Sequence, residues 1–253
     1  MINLSKVKHY IKKLLLKYER ENLSKLLSIK LWYIHTIRRI LPKKEDSVEV
    51  RGIQIESNDR CKKMFDGSLK IDRAFSDEHK KVNCDAIKEC VEEGDRTTII
   101  GGGYGLTTVA AARKVEESGS VVVYEGSKEM VEYLKEAVKL NGVQKTTTIK
   151  HAIVETEIDL KRPSNGSNRI AAREIKECDV MELDCEGSEL DIIGGLSRLP
   201  KRIIVETHPK KGASTADVRK ALGRKNYKII NEKKENSGKV LVAELLGQSH
   251  QIE

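Results

Sequence analysis

Aromatic residues are scarce in this 253-residue chain, with two Phe and one Trp, and Phe, Trp and Tyr together make up 4%. Its core must therefore be mainly aliphatic, and 38% hydrophobic residues over this length can supply a substantial one. No apolar run approaches the ~20 residues that span a bilayer. The charged opening segment lacks the uninterrupted apolar stretch and cleavage site of a signal peptide, so the expected location is cytoplasmic. Cysteine is also sparse. Cys61, Cys84, Cys90, Cys178 and Cys185 form an odd set without a Cys-x-x-Cys pair, which argues against a zinc module or a disulfide framework. Reduced thiols are expected, with Cys185 a small filler residue rather than a nucleophile. No metal ligand set is read from the sequence.

Against these absences stand two acid- or glycine-rich landmarks. Asp184-Cys185-Glu186-Gly187-Ser188-Glu189 follows an apolar strand at 180–183 and puts three carboxylates at its carboxyl end. In an open α/β sheet that end of the strands faces the ligand crevice. Upstream, Thr97-Thr98-Ile99-Ile100 leads into Gly101-Gly102-Gly103-Tyr104-Gly105 and then an alanine-rich helix. This strand, loop and helix can receive a negative or nucleoside group, because glycines allow close backbone approach and the helix amides favour anions. A tight turn closing a strand onto a helix is the plainer alternative. The next unit supports the nucleoside: a Val-rich strand at 120–124 ends at Glu125-Gly126-Ser127. A carboxylate at the tip of a second strand can accept hydrogen bonds from both ribose hydroxyls.

The glycine spacing excludes two common sites. A dinucleotide fingerprint needs a third small residue, where the two possible registers here place Leu106 and Thr108. A P-loop needs Gly-Lys-Ser or Gly-Lys-Thr, and none follows the glycines. Further strands are expected at 146–149, running towards His151, and at 202–205. The Glu235-Asn236-Ser237-Gly238 turn signal joins 227–231 to 239–245 as a closing hairpin. The polar stretch 162–168 reads as a turn cluster that either contacts substrate or merely connects. The sum is an α/β fold: a seven-stranded, mostly parallel sheet with a terminal antiparallel hairpin and helices on both faces.

Charge is unevenly placed. Residues 1–44 hold nine Lys and three Arg against Glu19 and Glu21, a net of +10 in a chain whose total is +8, so the remainder carries −2. A core built to clamp a nucleic acid backbone would be basic around its own cleft, so nucleic acid is disfavoured as a partner. Within 1–44 the apolar residues recur at helical spacing until Pro42. This reads as a basic amphipathic helical appendage, which either docks on an anionic membrane surface or a partner, or covers its own catalytic core. A small β-containing connector is expected at 45–79, the main domain at 80–248 and a tail at 249–253.

The glycine loop, Val123-Tyr124-Glu125-Gly126-Ser127, the stretch from Glu177 through Asp184-Cys185-Glu186-Gly187-Ser188-Glu189-Leu190, and Ile204-Val205-Glu206-Thr207-His208-Pro209 together resemble S-adenosylmethionine-dependent methyltransferases of the FkbM family. The resemblance covers roughly residues 80–247. Its triple-glycine loop is similar to one in archaeal members, and Ile99 stands where the family's first motif usually carries an acid. The resemblance implies a Rossmann-like fold, S-adenosylmethionine as cofactor, and O-methylation of a hydroxyl on a glycan or another small or lipid-linked acceptor. It further implies a cofactor site of Gly101, Gly102, Gly103, Tyr104, Gly105, Glu125, Gly126, His151, Ala152 and Asp184. Asp184, Glu186 and Glu206, with His208 behind them, are the candidates to meet the acceptor and take its proton. Two alternatives stay open: a binding or scaffold protein that has kept the fold without the cofactor, and, less favoured, a nucleic acid methyltransferase.

Overall fold

The computed structural model describes residues 47–56, 80–155, 166–235 and 238–247. Expectations for 1–44, most of the connector at 45–79, the stretch 162–165, the hairpin tip at 236–237 and the tail at 249–253 lie outside these residues. The chain divides into two compact units, and the second, 49–55 with 77–253, carries the main sheet. Ser47–Val50 (β1) and Ile53–Glu56 (β2) form a two-stranded sheet. Arg51 and Gly52 join them with positive φ at both positions (56° and 75°), the geometry that matches strand twist in a tight hairpin.

Helix α1 (Lys81–Cys90) precedes the first strand of the main sheet, β3 (Arg96–Ile100). Then follow α2 (Leu106–Val115), β4 (Ser120–Glu125), α3 (Lys128–Leu140), β5 (Thr147–Val154), β6 (Asn168–Ile170), β7 (Val180–Leu183) and α4 (Glu189–Gly195). The chain continues through β8 (Arg202–Glu206), α5 (Thr215–Arg224), β9 (Tyr227–Glu235) and β10 (Gly238–Leu245). The sheet order is β6-β5-β4-β3-β7-β8-β10-β9. The first six strands are mutually parallel, while β10 runs antiparallel between β8 and β9. The seven expected strands are all present, and the short β6 adds an eighth at the edge beside β5.

Burial explains the composition of the central strands. β7 is buried throughout and β3 along all but its first residue, which suits β-branched and aliphatic runs covered on both faces, interrupted in β7 by Glu182. Met181, Leu183, Ile203 and Val205 pack on one face with Ile192 and Ile193 of α4 and Val218 and Leu222 of α5. On the other face, α2 buries eight of its ten residues, and its three consecutive alanines allow a close approach to the sheet. Helix α3 presents Val131, Leu134, Ala137 and Val138 at helical spacing, with the Ser127 hydroxyl accepting the Met130 amide at its start.

The order reverses between β3 and β7. A crevice opens at such a switch point beyond the carboxyl ends of the strands. The glycine loop and the Asp184 turn leave the sheet side by side there.

Candidate active site

Gly101 follows β3 with φ of 97°, and a Cβ placed on it would sit 2.0 Å from the Asp184 carbonyl oxygen. The two strand ends are pressed together at this point, with the Asp184 amide donating to the Ile100 carbonyl (2.9 Å). Gly102 and Gly105 are enclosed by protein as well: a Cβ would meet Leu134 and Val123 at the first, and Ala137 and Leu134 at the second. Only Gly103 has nothing within 4 Å of its hypothetical Cβ. Three of the four glycines thus serve the packing of loop on sheet and helix, and Gly103 is the one that leaves room above the loop. Tyr104 extends the loop surface, its ring 5.4 Å from that of Tyr133.

Glu125 ends β4, buried against the loop. Its two carboxylate oxygens accept the Gly103 amide (3.0 Å) and the Ser127 amide (2.8 Å). Burial raises its pKa, an effect the two amides partly oppose. His151 lies opposite Glu125 in the β4–β5 register, and its Nε2 is 3.1 Å from the Gly126 carbonyl oxygen. Ala152, next to it, points its side chain into the core cluster with Ile100 and Tyr124. The expected cofactor residues therefore gather where β3 and β4 end, with His151 and Ala152 alongside within β5 and Asp184 just past β7. Open space at Gly103 beside a paired-oxygen acceptor at Glu125 is the combination a nucleoside cofactor requires.

The acidic candidates meet as one cluster. Glu182 on β7 and Ile204 on β8 are register partners, so Asp184 and Glu206, two residues further on, share their face of the sheet. The first turn of α1 covers that face. Lys80 Nζ lies 2.5 Å from Asp184 Oδ2 and also bonds Glu206 Oε2, while Asn83 Nδ2 donates to Glu206 Oε2 (3.1 Å) and Glu182 Oε1 (3.3 Å). His208, two residues past β8, turns Nδ1 to Glu189 Oε1 (2.8 Å). Its Nε2 faces Asp184 Oδ1 (3.5 Å), Glu186 Oε2 (3.8 Å) and Glu206 Oε1 (3.9 Å). Lys211 Nζ lies 2.8 Å from Glu186 Oε2. Glu186 itself has φ of 57°, a strained position for a residue with a side chain, which aims its carboxylate back into the cluster.

Low dielectric and crowding of like charge dominate the electrostatics here. Complete burial, reinforced by the charge of Asp184, pushes Glu182 up to about 7. Burial and Asp184 also raise Glu206, against the pull of Lys80. For Lys80, burial favours the neutral amine, but the charges of Asp184 and Glu206 outweigh it and keep the ammonium well above the usual lysine range. Burial likewise acts to lower His208, and the Glu189 hydrogen bond and Asp184 together hold it above its ordinary value.

All four acceptor-side candidates, Asp184, Glu186, Glu206 and His208, are brought together. Sequence reading missed Lys80, Asn83, Glu182 and Lys211. Glu182 had a signal, a lone acid in an otherwise apolar buried strand. It lies beside Ile99 in the β3–β7 register, so a buried carboxylate stands one strand away from the position where the glycine motif lacks its acid. Lys80 had none, since a lysine opening a helix reads as solvated. Glu189 does sit at the start of α4, where its Oε1 accepts the Cys185 and Gly187 amides (both 3.2 Å), but it also holds His208.

No curated protein matches the sequence. A solved O-methyltransferase from Thermotoga maritima, described as S-adenosylmethionine-dependent, is 18% identical, with a TM-score of 0.47 over 66% of this chain and 65% of that one. The structure of aTrm5 with a leucine tRNA is 11% identical, with a TM-score of 0.51 over 81% of this chain and 54% of that one. Trm5b from Pyrococcus abyssi is 13% identical, with a TM-score of 0.46 over 81% and 56%. This chain thus spans less than two thirds of the length of each, and the likeness to aTrm5 is one of fold. The methyltransferase FkbM domain model matches residues 73–229, well over half of the chain and all of the sites above. The chain therefore belongs to the FkbM methyltransferase family, whose fold is Rossmann-like and whose cofactor is S-adenosylmethionine.

Proposed function

We propose that this protein methylates a hydroxyl oxygen on a glycan or on another small or lipid-linked acceptor. The observation that carries the reading is the buried cluster of carboxylates and one histidine directly beside the glycine loop. The cofactor supplies a methyl group on a positively charged sulfur, so the carbon is already activated. What remains for the chain is to hold that group, align the acceptor, exclude water and take a proton.

Gly103, Tyr104, Glu125, Gly126 and His151 hold the cofactor over the ends of β3 and β4 and beside β5. Asp184 and Glu206 receive the acceptor hydroxyl, whose proton passes to the cluster as the oxygen gains the methyl group. Lys80 keeps the two carboxylates from repelling each other and fixes their orientation. A neutral hydroxyl needs such a proton acceptor. Residues 80–248 form the catalytic domain, and 1–44 bring it to an anionic membrane carrying the acceptor.

The test is a methyl-transfer assay with hydroxylated glycans and lipid-linked sugars, run beside amines and RNA. Transfer to hydroxyls is expected, and Asp184→Asn and Glu206→Gln each lower kcat by about 10²–10⁴-fold while leaving cofactor affinity near that of the wild type. Transfer to RNA alone would overturn the acceptor reading. Absence of cofactor binding by a folded protein would favour a scaffold that has lost the cofactor, with Ile99 as its mark.

A further inference from the structure

Asp184, Glu206 and His208 each offer one ligand atom, and these atoms lie within 4.8 Å of one another. The atoms are specific. Lys80 takes Asp184 Oδ2 and Glu206 Oε2, whereas His208 Nε2 faces Asp184 Oδ1 and Glu206 Oε1. Each carboxylate therefore divides its two oxygens between the lysine and the histidine side, and the lysine need not leave for a second cation to enter.

The separations decide what can sit there. From His208 Nε2 to the three carboxylate oxygens they are 3.5, 3.8 and 3.9 Å. These are too long for direct hydrogen bonds. They lie just beyond the ~3.0–3.5 Å between neighbouring ligands of an ion bound at about 2.0–2.2 Å, so small side-chain shifts would close them. The other face of the ring supports the same reading. Nδ1 meets the fully buried Glu189 at 2.8 Å, the outer-shell carboxylate that metal-binding histidines characteristically have.

Charge leads to the same conclusion. Four carboxylates, Asp184, Glu186, Glu189 and Glu206, gather around His208, with Lys80 and Lys211 among the cations that face them. Moreover, Glu189 Oε2 and Glu182 Oε2 are buried with no hydrogen-bond partner among the described residues. Carboxylates crowded together with little access to water favour a cation beside them.

We infer that Asp184, Glu206 and His208 form a binding site for one divalent transition-metal ion, and that Glu189 is its positioning residue. One imidazole among carboxylates favours manganese or zinc over magnesium or calcium, which take oxygen donors. The inference rests on the acceptor reading only for its purpose: an ion here would polarise the acceptor hydroxyl and ease loss of its proton. The proton still goes to the cluster or to solvent, and no oxidant or reductant is involved.

The test uses the full-length protein, stripped with a chelator and titrated with manganese, the free ion being followed by its paramagnetic resonance signal. One ion per chain is expected, with at least tenfold preference over magnesium. His208→Gln should weaken binding at least tenfold and Glu189→Gln about 10–100-fold, with S-adenosylmethionine affinity and melting temperature recorded for each variant. No manganese or zinc binding by wild-type protein that binds the cofactor would overturn the inference, as would binding indifferent to both substitutions. Manganese bound with the expected sensitivity but no transfer to hydroxyls would uphold the site and sink the acceptor reading. Transfer to hydroxyls by metal-free protein, unchanged by added manganese or zinc, would uphold the acceptor reading and overturn the role given to the ion.

Discussion

Gly101 and Gly103 look interchangeable in the sequence and have different tasks. At Gly101 a methyl group would collide with the Asp184 carbonyl at a φ of 97°, and the obstructing atoms are backbone of Asp184 and Cys185 rather than a side chain that can swing away. Gly101→Ala should therefore destabilise the protein by about 3 kcal/mol or more. At Gly103 the φ is 50° and the space is open, so Gly103→Ala should cost only about 1 kcal/mol. Its methyl group would instead intrude above the loop and weaken S-adenosylmethionine binding by about tenfold or more. Urea unfolding and calorimetry on both variants check the pair, and equal stability losses would contradict the division of roles. Sequence reading found the loop, Glu125 and the Asp184 turn because glycines and acids at strand ends stand out against apolar neighbours. It could not see that Lys80 and Asn83 close the acid cluster, because those contacts span more than 100 residues of chain. It named no metal ligands, and the long spacing of Asp184 and His208 gives no metal signature to read.

Strand positions were legible from β-branched runs, and the closing hairpin from its turn signal. The edge strand β6 was not, because three residues with half-exposed or exposed side chains carry no periodic pattern. A clasp at the opposite end of the sheet from the site was also hidden. Asp179, just before β7, accepts the Arg96 amide (3.0 Å) and Arg96 Nε (3.1 Å) at the start of β3, and Lys201 Nζ lies 3.3 Å from it ahead of β8. The Arg96 side-chain bond is the main reason its pKa falls from 3.8 to about 2. A depressed carboxylate stabilises the fold above its ordinary pKa and loses that contribution as pH falls through the folded value. The clasp should therefore be complete above pH 4 and lost towards pH 2. Asp179→Asn should cost about 1 kcal/mol at neutral pH, allowing for solvent screening, and converge with the wild type in strong acid. Melting curves at stepped pH test this, and a constant gap between the two proteins would contradict it.

The basic excess of the chain belongs to residues 1–44, and the remainder is slightly acidic. No helix among the described residues is long and apolar enough to cross a membrane. A basic amphipathic segment can nevertheless hold a protein at an anionic surface, through charge attraction that salt screens. Full-length protein should float with anionic liposomes at low salt, and both removal of residues 1–44 and high salt should release it. Flotation unaffected by the deletion would place the lipid contact elsewhere or exclude it. Methyl transfer of any kind requires that the glycine loop and Glu125 form a working cofactor site in a chain whose first motif has Ile99 in place of the usual acid. Calorimetric titration of S-adenosylmethionine and S-adenosylhomocysteine into wild-type protein and Glu125→Ala tests it most directly. The account predicts micromolar binding of both ligands, lost by at least tenfold in the variant while the melting temperature shows that it still folds. A folded wild-type protein that binds neither ligand would contradict it.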